Sequence, residues 1–322
     1  MIQKLKENLL NIEILENEPM AKHTTFKVGG PAQYFVEINN KADLHKVLAL
    51  AKSLKMPFFI FGNGSNILVS DKGIKGLVIK LTEGQTDIIG NQVKVFSGNN
   101  LRTMILKSIN QGLAGLEFAA NIPATVGGAI RGNAGAYGKG VGDFIKEIEV
   151  LKIGGDEISL EIMSKEECQF EYRHSIFKQR PELIIVEATF KLLTSKEDIK
   201  ERLKAIKDEL EERKAKQPYE CPSAGCTFKN VVYTDKYENL KSWEVHGKIP
   251  AGKLIEEAGL KGKTIKGANV SDKHANFITG SAKASAQDIL DLIELVKKEV
   301  KEKFGVELEE EVQKVGFNKS KK

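Results

Sequence analysis

The sequence predicts an α+β protein in two parts: a larger N-terminal domain over residues 1–195 and a smaller α/β domain over 196–322. Three observations lead there. The 322 residues exceed what one small core organises and suit two or three packed units. Through the first half, apolar residues alternate between a period of two and a period near 3.6, so strands and helices interleave. Past about residue 195 the pattern changes to charged helices, turns and short strands, with no internal repeat or low-complexity block.

Taken in order, FVEI at 35–38 reads as a strand, and residues 41–54 place Leu44, Val47, Leu48, Ala51 and Leu54 on one helical face. PFFIF at 57–61 runs as an apolar strand into the glycine loop FGNGSN, and GLVIKL at 76–81 and QVKVFSG at 92–98 are further strands. Asn100 is placed to cap a helix carrying Leu101, Met104, Ile105 and Ile109, which Gly112 ends. Residues 116–143 show little regular pattern. Strands return at IKEIEVLKI (145–153) and ELIIVEATFKLL (182–193). Ser195 opens a charged helix with Asp198 at the capping-box position and Ile199, Leu203, Ile206 and Leu210 inward; it ends near Gln217-Pro218. A short helix, turns and a strand follow over 251–280. Ser285 and Asp288 cap a last helix bearing Ile289, Leu292, Ile293, Val296 and Val300, Gly305 closes it, and VELEEEVQKVG reads as a final strand.

Composition narrows the function classes. The chain is 41% apolar and 29% charged, with a net charge of +5, much of the excess lying at Lys314, Lys319, Lys321 and Lys322. A short basic tail argues for a solvated end rather than a nucleic-acid surface. No apolar run approaches the ~20 residues of a membrane span, and the N-terminus lacks a signal-peptide core, so a cytoplasmic chain is expected. Cytosolic thiols stay reduced. Cys168, Cys221 and Cys226 are odd in number, and one CxxxxC without a second pair does not make a zinc site, so neither a disulfide nor a metal is expected.

Two glycine-rich segments need a cause. FGNGSN (61–66) follows a strand, so its N–H groups either form an anion-binding nest or simply turn the chain. Residues 121–138 hold Gly127, Gly128, Gly132, Gly135 and Gly138 among small residues. An irregular run of that length inside a compact domain points to function, and backbone packed against a large flat ligand fits it. The phosphate loop GxxxxGK[ST] fails at Asn133 and Gly140, and GxGxxG fails at Ile67.

FGNGSNILVSDKGIKGLVIKL followed by AGLEFAANIPATVGGAIRGNAGAYG resembles the FAD-binding domain of the vanillyl-alcohol-oxidase (PCMH) type. Within that group the chain is similar to the UDP-N-acetylenolpyruvoylglucosamine reductase (MurB) family, through TTFKVGGPA (24–32), YRHSIFK (172–178), PSAGCTFKN (222–230), AGKLIEEAGLKG (251–262), VSDKHANFITG (270–280) and VELEEEV (306–312). The resemblance implies a two-subdomain FAD-binding part, a C-terminal substrate part, non-covalent FAD, and NADPH as reductant of the enolpyruvyl group of a UDP-sugar. NADPH and sugar nucleotide would take turns in one pocket, and a monomer is favoured. It assigns the FAD pyrophosphate to Gly62, Asn63, Gly64, Ser65 and Asn66. It lines the flavin with the segment from Ile122, including Thr125, Gly127, Gly128, Asn133, Gly135 and Ala136, to Tyr137. Asn121 and Ala124 stand where the family has glycines, and Gln313 where an arginine is common.

Hydride added beyond an α,β-unsaturated carboxylate leaves negative charge over the α-carbon and carboxylate. The site must hold that charge and supply an acid to the α-carbon. The match at YRxS assigns the cation to Arg173, a residue type otherwise most often found in surface ion pairs. The match late in the last strand assigns the second group to Glu311 rather than Glu307 or Glu309, with burial expected to raise its pKa. Cys226 stands at the family's proton-donating serine, and a thiol of unperturbed pKa ~8.5 is an available acid. Cys221 reads as packing. Lys216, or its neighbour Lys214, and Asn230 match positions holding UDP. Tyr172 contacts the sugar nucleotide or packs; His274 lines the substrate part or is structural.

Overall fold

The computed structural model describes residues 1–154 and 157–317; Lys319, Lys321 and Lys322 of the basic tail lie outside the described residues. The chain is α+β, in two compact units. The first comprises Met1–Asn17, Gln33–Asn63 and Lys75–Glu211; the second comprises Glu18–Ala32, Gly64–Ile74 and the chain from Glu212 on. Along the chain the segments of the two units alternate instead of dividing once near residue 195, for a packing reason. Phe26, Val28 and Leu68 contribute to the core built by the C-terminal part, whereas Ile199, Leu203 and Ile206 join the core of the first unit.

In the first unit, five antiparallel strands lie in the order Ile158–Ser164, Ile145–Ile153, Leu183–Lys191, Gln92–Phe96, Thr86–Ile89. Helices α3 (Leu101–Asn110) and α4 (Val126–Gly132) share their core. A four-stranded sheet has the order Leu15–Pro19, Pro31–Ile38, Ile74–Leu81, Phe58–Phe61, its last two strands parallel with Phe58 opposite Leu77. It shares a second core with α1 (Ile2–Asn8) and α2 (Lys41–Ser53). As the periodicity predicts, α2 buries Leu44, Val47, Leu48 and Ala51, and Asn40 caps it by accepting the Asp43 N–H at 2.9 Å. Asn100 caps α3 in the same way through Thr103.

The charged helix is α5 (Ile199–Lys216), and it starts later than its capping box suggests. Asp198 is itself the cap, its carboxylate accepting the N–H groups of Lys200 at 2.8 Å and Glu201 at 3.1 Å, while the Ser195 hydroxyl accepts only from Glu197. On its inner face the buried residues are Ile206 and Arg202. Arg202 donates to the Leu113 carbonyl at 2.6 Å and to the Glu117 carboxylate. Burial opposes the charged form of Glu117, but Arg202 and the neighbouring N–H groups hold its carboxyl below the usual range. Breaking a buried pair from one side costs about 3 kcal/mol; Arg202→Ala is expected to be destabilised by that order. A depressed folded pKa gives stability above the unfolded value that is lost as pH falls through the folded one. The melting-temperature gap between wild type and Glu117→Gln should therefore narrow on acidification below pH ~4. A gap that widens in acid would contradict this linkage.

In the second unit, four strands lie in the order Ser223–Cys226, Phe277–Gly280, Ala268–Val270, Thr264–Ile265. Helix α6 (Ala251–Glu257) and the amphipathic α7 (Ala286–Phe304) complete the core. The predicted capping box of Ser285 and Asp288 is present, and Gly305 closes α7 at φ +68°. The final strand is shorter than expected. Only Gln313–Val315 pairs regularly, in parallel with Ile67–Val69, and residues 306–312 form no regular strand but make one bridge, Glu310 to Phe228.

Candidate active site

Cys226 ends a strand whose register places Ser223 opposite Thr279 but Cys226 opposite Phe277. Two residues on one side, Ala224 and Gly225, against one on the other, Ile278, make a bulge, which re-aims the side chains that follow it. Gly225 occupies that bulge at φ +75°, a conformation L side chains rarely adopt. Beyond it the backbone is pinned by a buried amide. Asn276 accepts the Phe228 N–H and donates to the Phe228 carbonyl, both at 2.9 Å, while its own carbonyl accepts the Thr227 N–H at 2.7 Å. Cys226 is half-buried there. Cys221, expected to pack, is instead exposed, because the paired strand begins only at Ser223. Cys168 is buried, and burial beside Glu167 and Glu166 pushes its thiol up to about 12, so it is inert.

Glu311 reaches the same region through its backbone. Its N–H donates to the Thr227 carbonyl at 2.8 Å, and the Lys229 N–H donates to the Glu309 carbonyl at 2.9 Å. Phe228 and Glu310 thus stand opposite each other, and Cys226 and Glu311 lie within two residues of that bridge. The neighbouring carboxylates are paired with lysines. Glu307 is exposed and pairs with Lys301 at 2.6 Å; Glu309 is exposed and pairs with Lys229. Burial works against the charged form of Glu310, yet the Lys297 and Lys314 ammoniums at 2.8 and 2.9 Å hold its carboxyl low. Glu311 is half-buried.

In the first unit, residues 121–138 are more regular than their sequence suggests: they hold α4 and one strand of a hairpin pairing Gly135 with Gly140. Thr125 caps α4 through the Gly128 N–H, and the Asn99 and Ser97 carbonyls accept the Val126 and Gly127 N–H groups. Two glycines are required by neighbouring protein atoms. A Cβ on Gly62 would lie 2.2 Å from the Thr125 hydroxyl, and one on Gly127 would lie 2.8 Å from the Ser97 Cβ. Ile122 and Ala136 pack against the core. Asn121 and Ala124 both keep φ out of the left-handed region, so neither is strained where a glycine is usual. Asn121 is buried and bonded to Arg102 and the Ile206 carbonyl.

This segment is where Arg173 sits. The Asn133 amide donates to the Glu171 carbonyl at 2.8 Å, and the Ser175 hydroxyl donates to the Arg131 carbonyl at 2.7 Å. Between them, Arg173 takes φ +54° and donates to the Gly135 carbonyl at 2.9 Å. Tyr172 is exposed, its ring centroid 5.6 Å from the guanidinium. Tyr137, also exposed, donates to Glu209 at 3.2 Å.

The other expected residues lie in the second unit. Asn230 accepts the Ala251 N–H at 3.1 Å, at the start of α6. Lys216 ends α5 on an exposed face, paired with Glu212. His274 accepts the Asn276 N–H at 3.2 Å and meets the Phe277 ring edge-on at 5.0 Å, and burial lowers its pKa. Sequence reasoning missed Thr227 and Asn276; both lie inside quoted motifs, but nothing in a single sequence distinguishes a bracing amide from a surface one. Among the described residues, no cluster of His, Cys, Asp or Glu is placed to hold a metal ion, and no helix is long and apolar enough to cross a membrane.

The fold and these loops define the chain first as a flavoprotein: a family model described as FAD binding domain matches residues 32–161. The rest is specified by a second model, UDP-N-acetylenolpyruvoylglucosamine reductase, C-terminal domain, over residues 217–315. Relatives bearing that reductase name are 41% identical in Caldanaerobacter subterraneus over 98% of both chains, and 37% identical in Bacillus subtilis over 99% of both. The crystal structure of the MurB reductase from Thermus caldophilus is similar at a TM-score of 0.73 and 31% identity, covering 95% of this chain and 99% of that one. The chain belongs to the UDP-N-acetylenolpyruvoylglucosamine reductase family. Its residues fit the cofactor. Gly64 turns at φ +63°, and among the described residues nothing accepts from the N–H groups of Gly64, Ser65 or Asn66, the donors an anionic pyrophosphate needs.

Proposed function

We propose that the chain reduces the enolpyruvyl double bond of UDP-N-acetylglucosamine enolpyruvate to UDP-N-acetylmuramate, a peptidoglycan precursor, with NADPH as reductant. When bound, FAD supplies the hydride chemistry, accepting from NADPH and delivering to the terminal carbon of the enolpyruvyl group. The chain's own residues handle the charge and the proton. The Arg173 guanidinium presents a planar fork to the substrate carboxylate. The Glu311 carboxyl hydrogen-bonds the developing enolate. The Cys226 thiol gives its proton to the α-carbon, and the resulting thiolate is reprotonated from solvent. Tyr172, Lys216, Asn230 and His274 are assigned to the sugar nucleotide; the loop Gly62 through Asn66, by its backbone N–H groups, and the segment Ile122 through Tyr137 are assigned to FAD.

The observation that carries this reading is the 2.8 Å bond from the Glu311 N–H to the Thr227 carbonyl, which holds the proposed acid and the proposed carboxyl on one short stretch of paired backbone. Steady-state turnover tests it: NADPH consumption should require the enolpyruvyl sugar nucleotide and yield the lactyl product, and NADPH loss without that product would count against it. The flavin is expected to be non-covalent, because residues 62–66 and 121–138 contain no His or Cys to attach it. Acid precipitation should leave the yellow colour in the supernatant; colour retained in the washed pellet would overturn this.

A further inference from the structure

Glu311 is held from both sides, and the second hold comes from an unexpected residue. Its N–H is fixed by Thr227; its carbonyl accepts from the Asn66 side-chain amide at 3.1 Å. The carbonyl of Asn66 in turn accepts the Gln313 N–H at 3.0 Å, and the parallel pairing of Ile67–Val69 with Gln313–Val315 begins there. Asn66 therefore spans Glu311–Gln313 at the point where the regular ladder stops, its side chain supplying the donor that the next backbone N–H would otherwise provide. Without that donor the Glu311 carbonyl loses this bond, and the hold on the peptide plane that sets the direction of the Glu311 side chain is loosened.

We propose that Asn66 is a positioning residue for Glu311, and that its side chain serves the substrate carboxyl site rather than the FAD phosphates. This rests on the role given to Glu311 above. The test uses full-length Asn66→Ala, with Asn66→Leu as an uncharged second variant of similar size lacking the amide donor should alanine impair folding. Three quantities are compared with wild type: the FAD dissociation constant of the apoprotein, the rate of flavin reduction by NADPH, and the rate of flavin reoxidation by the enolpyruvyl sugar nucleotide. FAD affinity and reduction by NADPH should stay within about threefold. Reoxidation should slow about tenfold or more, as a slightly misaimed group does. Combined with Glu311→Gln, the Asn66 substitution should add little further loss, because the two act through one group. A large loss of FAD affinity, slowing of both half-reactions, or full additivity would overturn the proposal. If Glu311→Gln alone is slow and Asn66→Ala is normal, the proposal alone fails. If Glu311→Gln reoxidises at the wild-type rate, the role of Glu311 fails first and the proposal falls with it.

Discussion

Arg173→Ala and Glu311→Gln are each expected to slow flavin reoxidation by the sugar nucleotide ~10²–10³-fold, the usual cost of one lost charge-stabilising donor. Flavin reduction by NADPH should be nearly unchanged, since no charge develops on a carboxylate in that half-reaction. Rapid mixing of each half separates the two. The backbone of Arg173 is fixed independently of its guanidinium, through Glu171, Ser175 and the Lys178 ammonium on the Arg173 carbonyl at 2.7 Å. The alanine variant should therefore keep the segment in place and report on charge. Equal slowing of both halves would count against these roles.

Cys226→Ala is expected to keep FAD and bind the sugar nucleotide while losing ~10²–10⁴-fold in turnover, the range for a missing general acid. Cys226→Ser, with a hydroxyl at the family's usual position, should retain substantial activity. A thiol alkylating agent should inactivate the wild-type enzyme, with bound sugar nucleotide protecting. Because Cys221 is exposed, it should also be alkylated, without loss of activity, so Cys221→Ala should leave the inactivation rate unchanged. Cys168, buried and held protonated, should not react. Turnover of Cys226→Ala near the wild-type rate would show that the proton comes from elsewhere.

Much of the fold was legible where one element carries its own signals. In α7 the apolar stripe from Ile289 to Val300 and the Ser285–Asp288 capping box agree, and the helix runs as they predict. Where structure depends on distant partners, the sequence was silent. Val126–Gly132 has three glycines and no stripe, and it is helical because the Ser97 and Asn99 carbonyls and the Thr125 hydroxyl take its first N–H groups. On α5, Arg202 sits inward because Glu117 and the Leu113 carbonyl await it, which apolar periodicity cannot register. Of the candidate site, the residue types came from ordered motifs. Their arrangement did not: Glu311 is held beside Cys226 by a backbone bond to the next residue, Thr227, and backbone bonds between distant segments leave no pattern in one sequence. Nor does one sequence show that Gly62 and Gly127 are also demanded by Thr125 and Ser97, which fill the space a Cβ would need.

The central claim, that electrons pass from NADPH through the bound flavin to an enolpyruvyl sugar nucleotide, is tested most directly by an anaerobic single turnover. The FAD-loaded protein is bleached with one equivalent of NADPH and then mixed with UDP-N-acetylglucosamine enolpyruvate. The flavin colour should return fully, with one equivalent of the lactyl product formed, and UDP-N-acetylglucosamine alone should restore none. Flavin that stays bleached in the presence of the enolpyruvyl substrate would contradict the account.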